Sequence, residues 1–454
     1  MQAGAEVGRM IESISNDAGF NEKCLRLSNL SGPGLMPKTA CAQYPGTHCS
    51  FRAVAGSLTL IKNAYALLLG PAICLYNAKL SMSVRSLTSD PRPNNLLFLE
   101  YTQDDVIFGF RNRVMQTILE IDRIYHPELL FVVTTCLQEI VGEDFEATID
   151  EIRSIVKAKL LVIHTENFTS EEATPGIENL FSSFFDLMQP ETVVPKSVNI
   201  LGLWTYHARE TELALLLKSK GVEVRNAIPS FCTPSDLAGA TGAQMNIVLD
   251  QYALPLAKKM RECFSTDYIY CRKPYHPDSI EIWYRDLAGA LDIDLSEEIR
   301  RMKTESLEMM ARARSLLSGR SCALTWNTGR TFDLARLLSE IGIKIDVILA
   351  QTILPDDQED IRKLLSMGVD PWIFRGDNSL QTEALLCRLK PDIFVGGQDP
   401  QSLARLGIEP CSISLSHSMF GFGCCKEVLS RLCRRAPGIE ALMYKEDLIS
   451  QGAV

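Results

Sequence analysis

Short apolar runs alternate with amphipathic segments along the chain, and this alternation predicts the first group of strands and helices. Leucine, isoleucine and methionine recur at helical spacing between residues 114 and 124, and a second helix is predicted over 144–156. Strand-length apolar runs flank these helices at 64–69, 96–100, 129–135 and 160–163. Strands that alternate with helices in this way are typical of βαβ units, which form parallel sheets.

The same alternation occurs twice more towards the C-terminus. A second group has predicted strands at 198–203, 222–224 and 246–249, and a third has strands at 322–326, 343–349, 372–374 and 393–395. A helix is predicted over 210–219, a long one over 297–317, and three more over 331–341, 358–367 and 380–388. The pattern predicts an α/β protein of three Rossmann-like domains with parallel sheets flanked by helices.

Chain length supports this division. With 454 residues the chain is longer than a domain built around one hydrophobic core usually is. We place an N-terminal extension at 1–40, rich in Gly, Ser, Asn and Pro, and domains at 41–195, 196–305 and 306–454. Residues 190–195, bracketed by two prolines, are the predicted linker between the first two domains.

Composition and charge exclude several partners. The net charge is −10 and no block of lysine and arginine is present, so nucleic acid is not an expected partner. The longest apolar run, residues 64–76, is too short to cross a bilayer and contains Pro71. The first thirty residues have no secretory pattern. These features predict a cytoplasmic protein that does not enter a membrane.

Three of the fourteen cysteines lie where an apolar segment breaks into a turn: Cys49, Cys74 and Cys136. Cys136 ends a predicted buried strand, and the carboxyl ends of parallel strands face the crevice where α/β proteins bind cofactors. In a reducing compartment such cysteines are thiols or metal ligands rather than disulfides. Three of them from separate segments predict one soft-metal site.

The alternative is that these cysteines only pack. Free cysteine is often buried and behaves as a small hydrophobe. Other cysteines in apolar or helical settings are expected to do only that, namely Cys322, Cys387, Cys424, Cys425 and Cys433. On this alternative the protein is a regulatory or scaffold protein without a metal.

The segments around the three cysteines resemble the cluster-binding segments of the nitrogenase component 1 superfamily. The resemblance lies in Gly70-Pro71 before Cys74, Thr-Thr before Cys136, Val-Gly-Glu-Asp after it, and Asp-Asp-Val-Ile-Phe-Gly at 104–109. It implies that Cys49, Cys74 and Cys136 bind an iron–sulfur cluster, of the 8Fe-7S (P-cluster) or 4Fe-4S kind, shared with a homologous subunit. Phe110 stands where the family usually has a second glycine.

Two segments bear on which subunit this is. Residues 164–168 and 174–181 resemble the K-type (β) subunit more than the D-type (α) subunit. D-type subunits bind the active-site cofactor through a cysteine after a second-domain strand, and Asp250 occupies that position here. A carboxylate is a poor substitute for a thiolate on an iron–sulfide cluster. An N-cap for the helix that begins near Leu254 is the simpler role for Asp250.

The other ligands of the D-type cofactor are also not matched. We expect Cys263 to pack at a helix end and His417 to be an ordinary loop histidine. Ala173 and Ile177 stand where D-type subunits have a glutamine and a histidine over the cofactor. Dinitrogen chemistry on this chain is therefore not expected.

The resemblance implies an electron-transfer subunit in an α2β2 heterotetramer with a D-type partner, served by an ATP-dependent iron protein. Departure from the nitrogenase pattern favours methylthio-alkane reductase, which acts on carbon–sulfur bonds of small thioethers. Alternatives are a cofactor-assembly scaffold subunit and a subunit of another nitrogenase-like reductase, either a nitrogenase or a tetrapyrrole reductase.

Two further loops are weaker candidates. Glu171 lies where some K-type subunits have an oxygen ligand to the oxidised cluster, although a solvated loop is the simpler interpretation. Residues 328–331, Thr-Gly-Arg-Thr, lie at a strand-to-helix turn, but the Gly-Lys-Ser/Thr sequence of a phosphate-binding loop is absent. We do not expect a nucleotide site there.

Overall fold

The computed structural model describes most of the predicted elements, and no helix within the described ranges is long and apolar enough to cross a membrane. The described residues are 24–30, 49–86, 95–165, 175–205, 207–325, 329–350, 353–374, 379–397, 399–413 and 420–434. They form two compact units. One holds the described parts of 38–210 and 217–271, and the other holds those of 1–37, 211–216 and 272–454.

The first sheet is fully parallel, in the order β3-β2-β4-β5, as the sequence predicts. Its strands are β2 (Ala64–Gly70), β3 (Leu96–Glu100), β4 (Leu129–Thr134) and β5 (Lys159–Ile163). Strand β1 (Cys24–Arg26) belongs to the third sheet. The helices of this region are α1 (Ser50–Leu58), α2 (Ala72–Ser86), α3 (Gln103–Phe108), α4 (Arg111–Tyr125), α5 (Leu137–Val141), α6 (Phe145–Ile152) and α7 (Pro175–Phe184).

The second sheet is also parallel, in the order β7-β6-β8-β9. Its strands are β6 (Val194–Leu203), β7 (Glu223–Pro229), β8 (Ala243–Val248) and β9 (Asp267–Tyr270), and its region contains the helices α8 (Glu212–Ser219), α9 (Pro234–Ala238) and α10 (Leu254–Phe264). Strand β9 was not predicted, because its polar ends Asp267 and Tyr270 conceal the short apolar centre.

The third sheet has six strands and is mixed, in the order β1-β12-β11-β10-β13-β14. Strands β10 (Ser321–Thr325), β11 (Lys344–Leu349), β12 (Trp372–Phe374), β13 (Ile393–Val395) and β14 (Glu409–Cys411) are parallel. The helices of this unit are α11 (Pro277–Leu291), α12 (Ser296–Leu317), α13 (Thr331–Glu340), α14 (Asp357–Ser366), α15 (Ser379–Leu389), α16 (Pro400–Arg405) and α17 (Phe422–Cys433).

Strand β1 adds one antiparallel strand to the predicted parallel arrangement, because it pairs antiparallel with β12 at the sheet edge. Part of the predicted extension, residues 24–29, is therefore ordered sheet and turn. The Arg26 guanidinium stacks over Trp372 at 4.1 Å, and the Asp370 carboxylate accepts hydrogen bonds from the backbone N–H and the hydroxyl of Ser28, both at 2.8 Å. These side-chain contacts hold a three-residue strand that sequence periodicity cannot reveal.

The first two sheets share one hydrophobic core within their unit. Helix α7 packs against both α1 and α10. Phe184 on α7 lies 6.3 Å from the ring of Phe131 on β4 and 5.8 Å from that of Phe181, both in edge-to-face geometry. Each of these rings is almost completely buried, and burial of one such side chain contributes about 2 kcal/mol.

A ladder of buried asparagines fixes the register of the second sheet. Asn199 on β6 lies opposite Asn226 on β7 and Asn246 on β8. Its amide nitrogen donates to the Asn246 side-chain oxygen at 2.8 Å and to the Ala240 carbonyl at 2.7 Å, and its oxygen accepts from Asn226 at 3.0 Å. A shift of one residue would leave these amides unpaired in the core.

Asn199→Ala should therefore destabilise the protein by about 3 kcal/mol, because it leaves several buried polar groups without partners. Urea unfolding followed by circular dichroism measures this loss. The control is Asn112→Ala, on the exposed surface of α4, which should change stability by less than about 0.5 kcal/mol. Equal stability of the two variants would show that the ladder adds nothing to the fold.

Candidate metal centre

Cys49, Cys74 and Cys136 each lie at the start of a helix. Cys49 is the N-cap residue of α1, and its carbonyl accepts from the Ala53 N–H at 3.1 Å. Cys74 lies in the first turn of α2, where its N–H donates to the Pro71 carbonyl at 2.9 Å. Cys136 is the N-cap residue of α5. Helix N-termini are favourable places for negatively charged thiolates.

Strand pairing brings two of these helix starts to one edge of the first sheet. Strands β2 and β4 are parallel neighbours, with Leu69 opposite Thr134. Cys74 follows the end of β2 and Cys136 follows the end of β4, so both turns lie at the carboxyl edge. This is the position that the sequence predicts for Cys136.

A glycine allows the two turns to approach closely. A Cβ atom on Gly70 would lie 2.5 Å from the Thr135 methyl carbon, closer than real contacts allow. Thr135 is 2% exposed and immediately precedes Cys136. The Gly70-Pro71 sequence thus serves packing of the two cysteine-bearing turns.

The three thiols interact electrostatically. The pKa of Cys74 is raised to about 11, first by burial and then by the neighbouring Cys136 and Cys49. All three side chains are only partly buried, and Cys49 and Cys74 pack against the core of their unit. Both other thiols therefore lie close enough to Cys74 to act on its ionisation.

The arrangement of the three thiols limits the kind of metal group that they could bind. Within the described ranges, no three histidine, cysteine or carboxylate side chains converge on one metal position. A cluster distributes its irons, so its ligands need not converge on one point, and thiolates are its usual ligands. Cys49, Cys74 and Cys136 are the residues that could hold an iron–sulfur cluster.

Large apolar side chains surround this site and are exposed. We call these residues the apolar rim: Ile73, Tyr76, Val106, Ile107, Phe108 and Ile140, which are 64%, 61%, 45%, 70%, 82% and 68% exposed. They lie on α2, α3 and α5, which follow β2, β3 and β4. Exposed apolar patches of this kind mark interaction surfaces.

Phe110 adopts backbone dihedrals that a non-glycine residue readily takes, φ −112° and ψ −14°. The left-handed position is Gly109, with φ +92°. The Phe110 ring is buried and meets the Tyr101 ring edge-to-face at 4.1 Å. The departure from the family pattern at Phe110 is thus accommodated as core packing.

Tyr101 and Gln138 were missed by sequence reasoning. The Gln138 side-chain nitrogen donates to the Tyr101 hydroxyl, and both side chains are buried. Burial is the main cause that raises the pKa of Tyr101, so its phenol stays neutral. Only their position between two cysteine-bearing turns distinguishes them, and this position depends on tertiary structure.

In the second domain, Asp250 is committed to local structure. Its carboxylate accepts from the Tyr252 N–H at 2.9 Å and from the Trp204 indole N–H at 3.2 Å. It caps the 3-10 turn Gln251–Ala253, so the predicted cap at α10 is corrected by one turn. Cys263 is exposed on α10, and Cys232 is buried beside the Pro229 carbonyl.

The remaining sequence candidates either fall outside the described residues or make local contacts. Glu171, Ala173, Thr328 and His417 lie outside the described residues. Ile177 is a buried core residue of α7. In the turn before α13, the Arg330 guanidinium binds both Asp360 carboxylate oxygens, at 2.8 and 2.6 Å, and is therefore already neutralised.

Comparison with known proteins agrees with this geometry. Residues 49–431 match the family described as nitrogenase component 1 type oxidoreductase. The chain is 24% identical over 395 residues to the nitrogenase iron-molybdenum cofactor biosynthesis protein NifE of Methanococcus maripaludis, covering 85% of this chain and 80% of that protein. It is 24% identical over 402 residues to NifE of Nostoc, covering 85% and 82%.

A third relative is a nitrogenase molybdenum-iron protein alpha chain from Methanothermobacter thermautotrophicus, 24% identical over 418 residues, with coverage of 85% and 84%. The solved structure titled "Nitrogenase Cp1 at pH 5" superposes with a TM-score of 0.73 at 17% identity, covering 96% of this chain and 98% of that one. The family match spans most of the chain and the fold agrees with it: the chain belongs to the nitrogenase component 1 type oxidoreductase family.

Proposed function

We propose that this chain is an iron–sulfur subunit of a nitrogenase-like complex that assembles a metal cofactor. The observation that supports the cluster is geometric: Cys74 and Cys136 follow neighbouring parallel strands at one sheet edge, and these two thiols and that of Cys49 are partly buried. The assembly role is supported by relatives named as cofactor biosynthesis proteins that align over most of both chains. Support for methylthio-alkane reductase is weaker, since none of these relatives carries that name.

The second domain is consistent with assembly rather than with a resident active-site cluster. A permanent cluster anchor at the strand end would be a thiolate, whereas Asp250 is a carboxylate with two hydrogen bonds already made. A scaffold must release its product, so it does not require a permanent anchor at this position. The cofactor under assembly is then a cargo rather than a resident group.

The subunit type is also revised. The resemblance at residues 164–168 favours the K-type, but a relative named as an alpha chain aligns over 85% of this chain. We therefore favour an α-like subunit. The K-type electron-transfer half of a reductase remains the second candidate, supported by the absence of a cofactor thiolate at position 250.

The apolar rim supports a homologous partner subunit. A cluster held by only three thiolates has irons without protein ligands, which a second chain can supply. Burial of the rim against that chain would remove exposed apolar surface and cover the cluster. We propose that this surface is where the complex forms, with an ATP-dependent iron protein as electron donor.

The first test is iron and sulfide content after anaerobic purification. Cys136→Ala should lose most of the iron, because a cluster that loses one thiolate loses both ligation and charge balance. The matched control is Cys263→Ala, whose thiol is exposed on α10 and should leave iron unchanged. A wild-type complex without iron, or full iron in Cys136→Ala, would contradict the proposal.

Asp250→Asn should leave the iron content and the electron paramagnetic resonance spectrum of the cluster unchanged. Its one effect should be a loss of about 1 kcal/mol in stability, since an amide replaces a carboxylate that accepts two hydrogen bonds. Thermal unfolding and metal analysis on the same samples measure both. A large loss of iron would show that position 250 does bind a cluster.

Charge in the apolar rim should disrupt assembly of the complex. Ile140→Asp should convert the native complex to free subunits, because burial of an unpaired carboxylate in an interface is costly. The control is Ile282→Asp, at a residue that is also exposed (51%) but lies on α11 of the other unit. Mass photometry of the complex purified from the cells that make it measures the mass of the assembly. An unchanged mass in Ile140→Asp would rule out the apolar rim as the interface.

A further inference from the structure

One buried tyrosine contacts both turns that carry Cys74 and Cys136. Tyr101 follows β3 and is 8% exposed. Its backbone N–H donates to the Gly70 carbonyl at 3.0 Å, immediately before the turn of Cys74. Its hydroxyl accepts a hydrogen bond from Gln138, two residues after Cys136. Tyr101 therefore spans the two turns, with a backbone bond to one and a side-chain bond to the other.

Helix α5, which begins directly after Cys136, needs such a contact. It has five residues, too few for a helix that is stable by itself. Its outer residue Ile140 is 68% exposed. The inward contacts of the helix include those of Leu137 with the core and of Gln138 with Tyr101.

The tyrosine is itself held firmly. Its ring contacts Phe110 edge-to-face at 4.1 Å, and the Phe110 N–H donates to Glu143 at 3.0 Å, in the segment that follows α5. Two oxygens of this region, Gln138 Oε1 and Glu143 Oε2, are buried without a hydrogen-bond partner within the structure as described. A buried polar atom without a hydrogen-bond partner costs free energy of folding, so the packing around these two oxygens must offset that cost.

We propose that Tyr101 and Gln138 are positioning residues that set the separation of the Cys74 and Cys136 thiols. The proposal rests on the proposed cluster role of those thiols. Cluster potential and spectrum depend on ligand geometry and on hydrogen bonding around the site. A change in thiol separation should therefore alter the cluster without removing it.

The central test is Tyr101→Phe, which retains the ring, its contact with Phe110 and the backbone bond to Gly70. Iron content should remain at the wild-type value. The electron paramagnetic resonance spectrum should change, and the ratio of oxidised to reduced cluster at fixed potential should shift at least threefold, about 28 mV for a one-electron couple. Tyr125→Phe, on the half-exposed end of α4, is the control and should match wild type in both.

A second readout needs no cluster. In metal-free protein, a short reagent that alkylates two thiols should link Cys74 to Cys136, identified by mass spectrometry of the joined peptides. Tyr101→Phe should lower the yield at least threefold. Gln138→Leu should have the same effect, and the double variant should show no further loss, because both changes break one bond.

The outcomes separate the two proposals. If Tyr101→Phe lowers thermal stability but leaves spectrum, potential and cross-linking unchanged, the tyrosine is only structural and the inference is wrong. If the wild-type complex contains no iron while cross-linking still depends on Tyr101, the proposed function fails and the positioning role stands. If Tyr101→Phe does not fold, Gln138→Leu tests the same bond from the helix side, and unchanged cross-linking there overturns the inference.

Discussion

The candidate site depends on the parallel pairing of β2 and β4. Because the two strands run in the same direction as neighbours, their carboxyl ends reach the same edge, and each is followed by a helix that starts near a cysteine. Gly70 then lets Thr135 approach to a distance that any side chain at position 70 would prevent. Backbone pairing thus sets the coarse position of Cys74 and Cys136, and packing between their turns sets the fine position.

Hydrogen bonds between buried polar side chains fix the position of elements that hydrophobic packing alone does not fix. The hydrogen bond between Gln138 and Tyr101 links the five-residue helix α5 to the residue that follows β3. The asparagines around Asn199 connect three strands of the second sheet. In each case the buried donor reaches its acceptor in only one relative position of the two elements. Apolar burial supplies most of the stability, whereas these bonds select a single arrangement.

The surface around the thiols differs from that of a self-sufficient protein. Phe108 is 82% exposed and Ile107 70%, beside cysteines that are only partly buried. Such an edge is costly to leave in water, and three thiolates are few for a polynuclear cluster. On the proposed function, a second chain that covers the apolar surface and adds ligands would account for both features.

The sequence by itself determined the fold class and the position of most strands and helices, and it predicts Cys49, Cys74 and Cys136 as the candidate site. These follow from local information: hydrophobic periodicity marks each element, and cysteines at strand and helix ends mark the edge where cofactors bind. The apolar interiors of β2 and β4 are examples, predicted to within one residue at each end.

The tertiary structure decided those features that the hydrophobic periodicity of the sequence does not indicate. Strand β1 has three residues and exists because β12 offers it an edge, and Arg26 and Ser28 bind residues more than 340 positions away. Tyr101 is one ordinary aromatic residue in the sequence, and its contact with Gln138 arises only when the fold brings the end of β3 and the start of α5 together. Asp250 caps the turn at Gln251 rather than α10, because the chain first tightens into a 3-10 turn that local pattern does not reveal. Long-range partners fixed these features, and a linear pattern of apolar and polar residues does not record long-range partners.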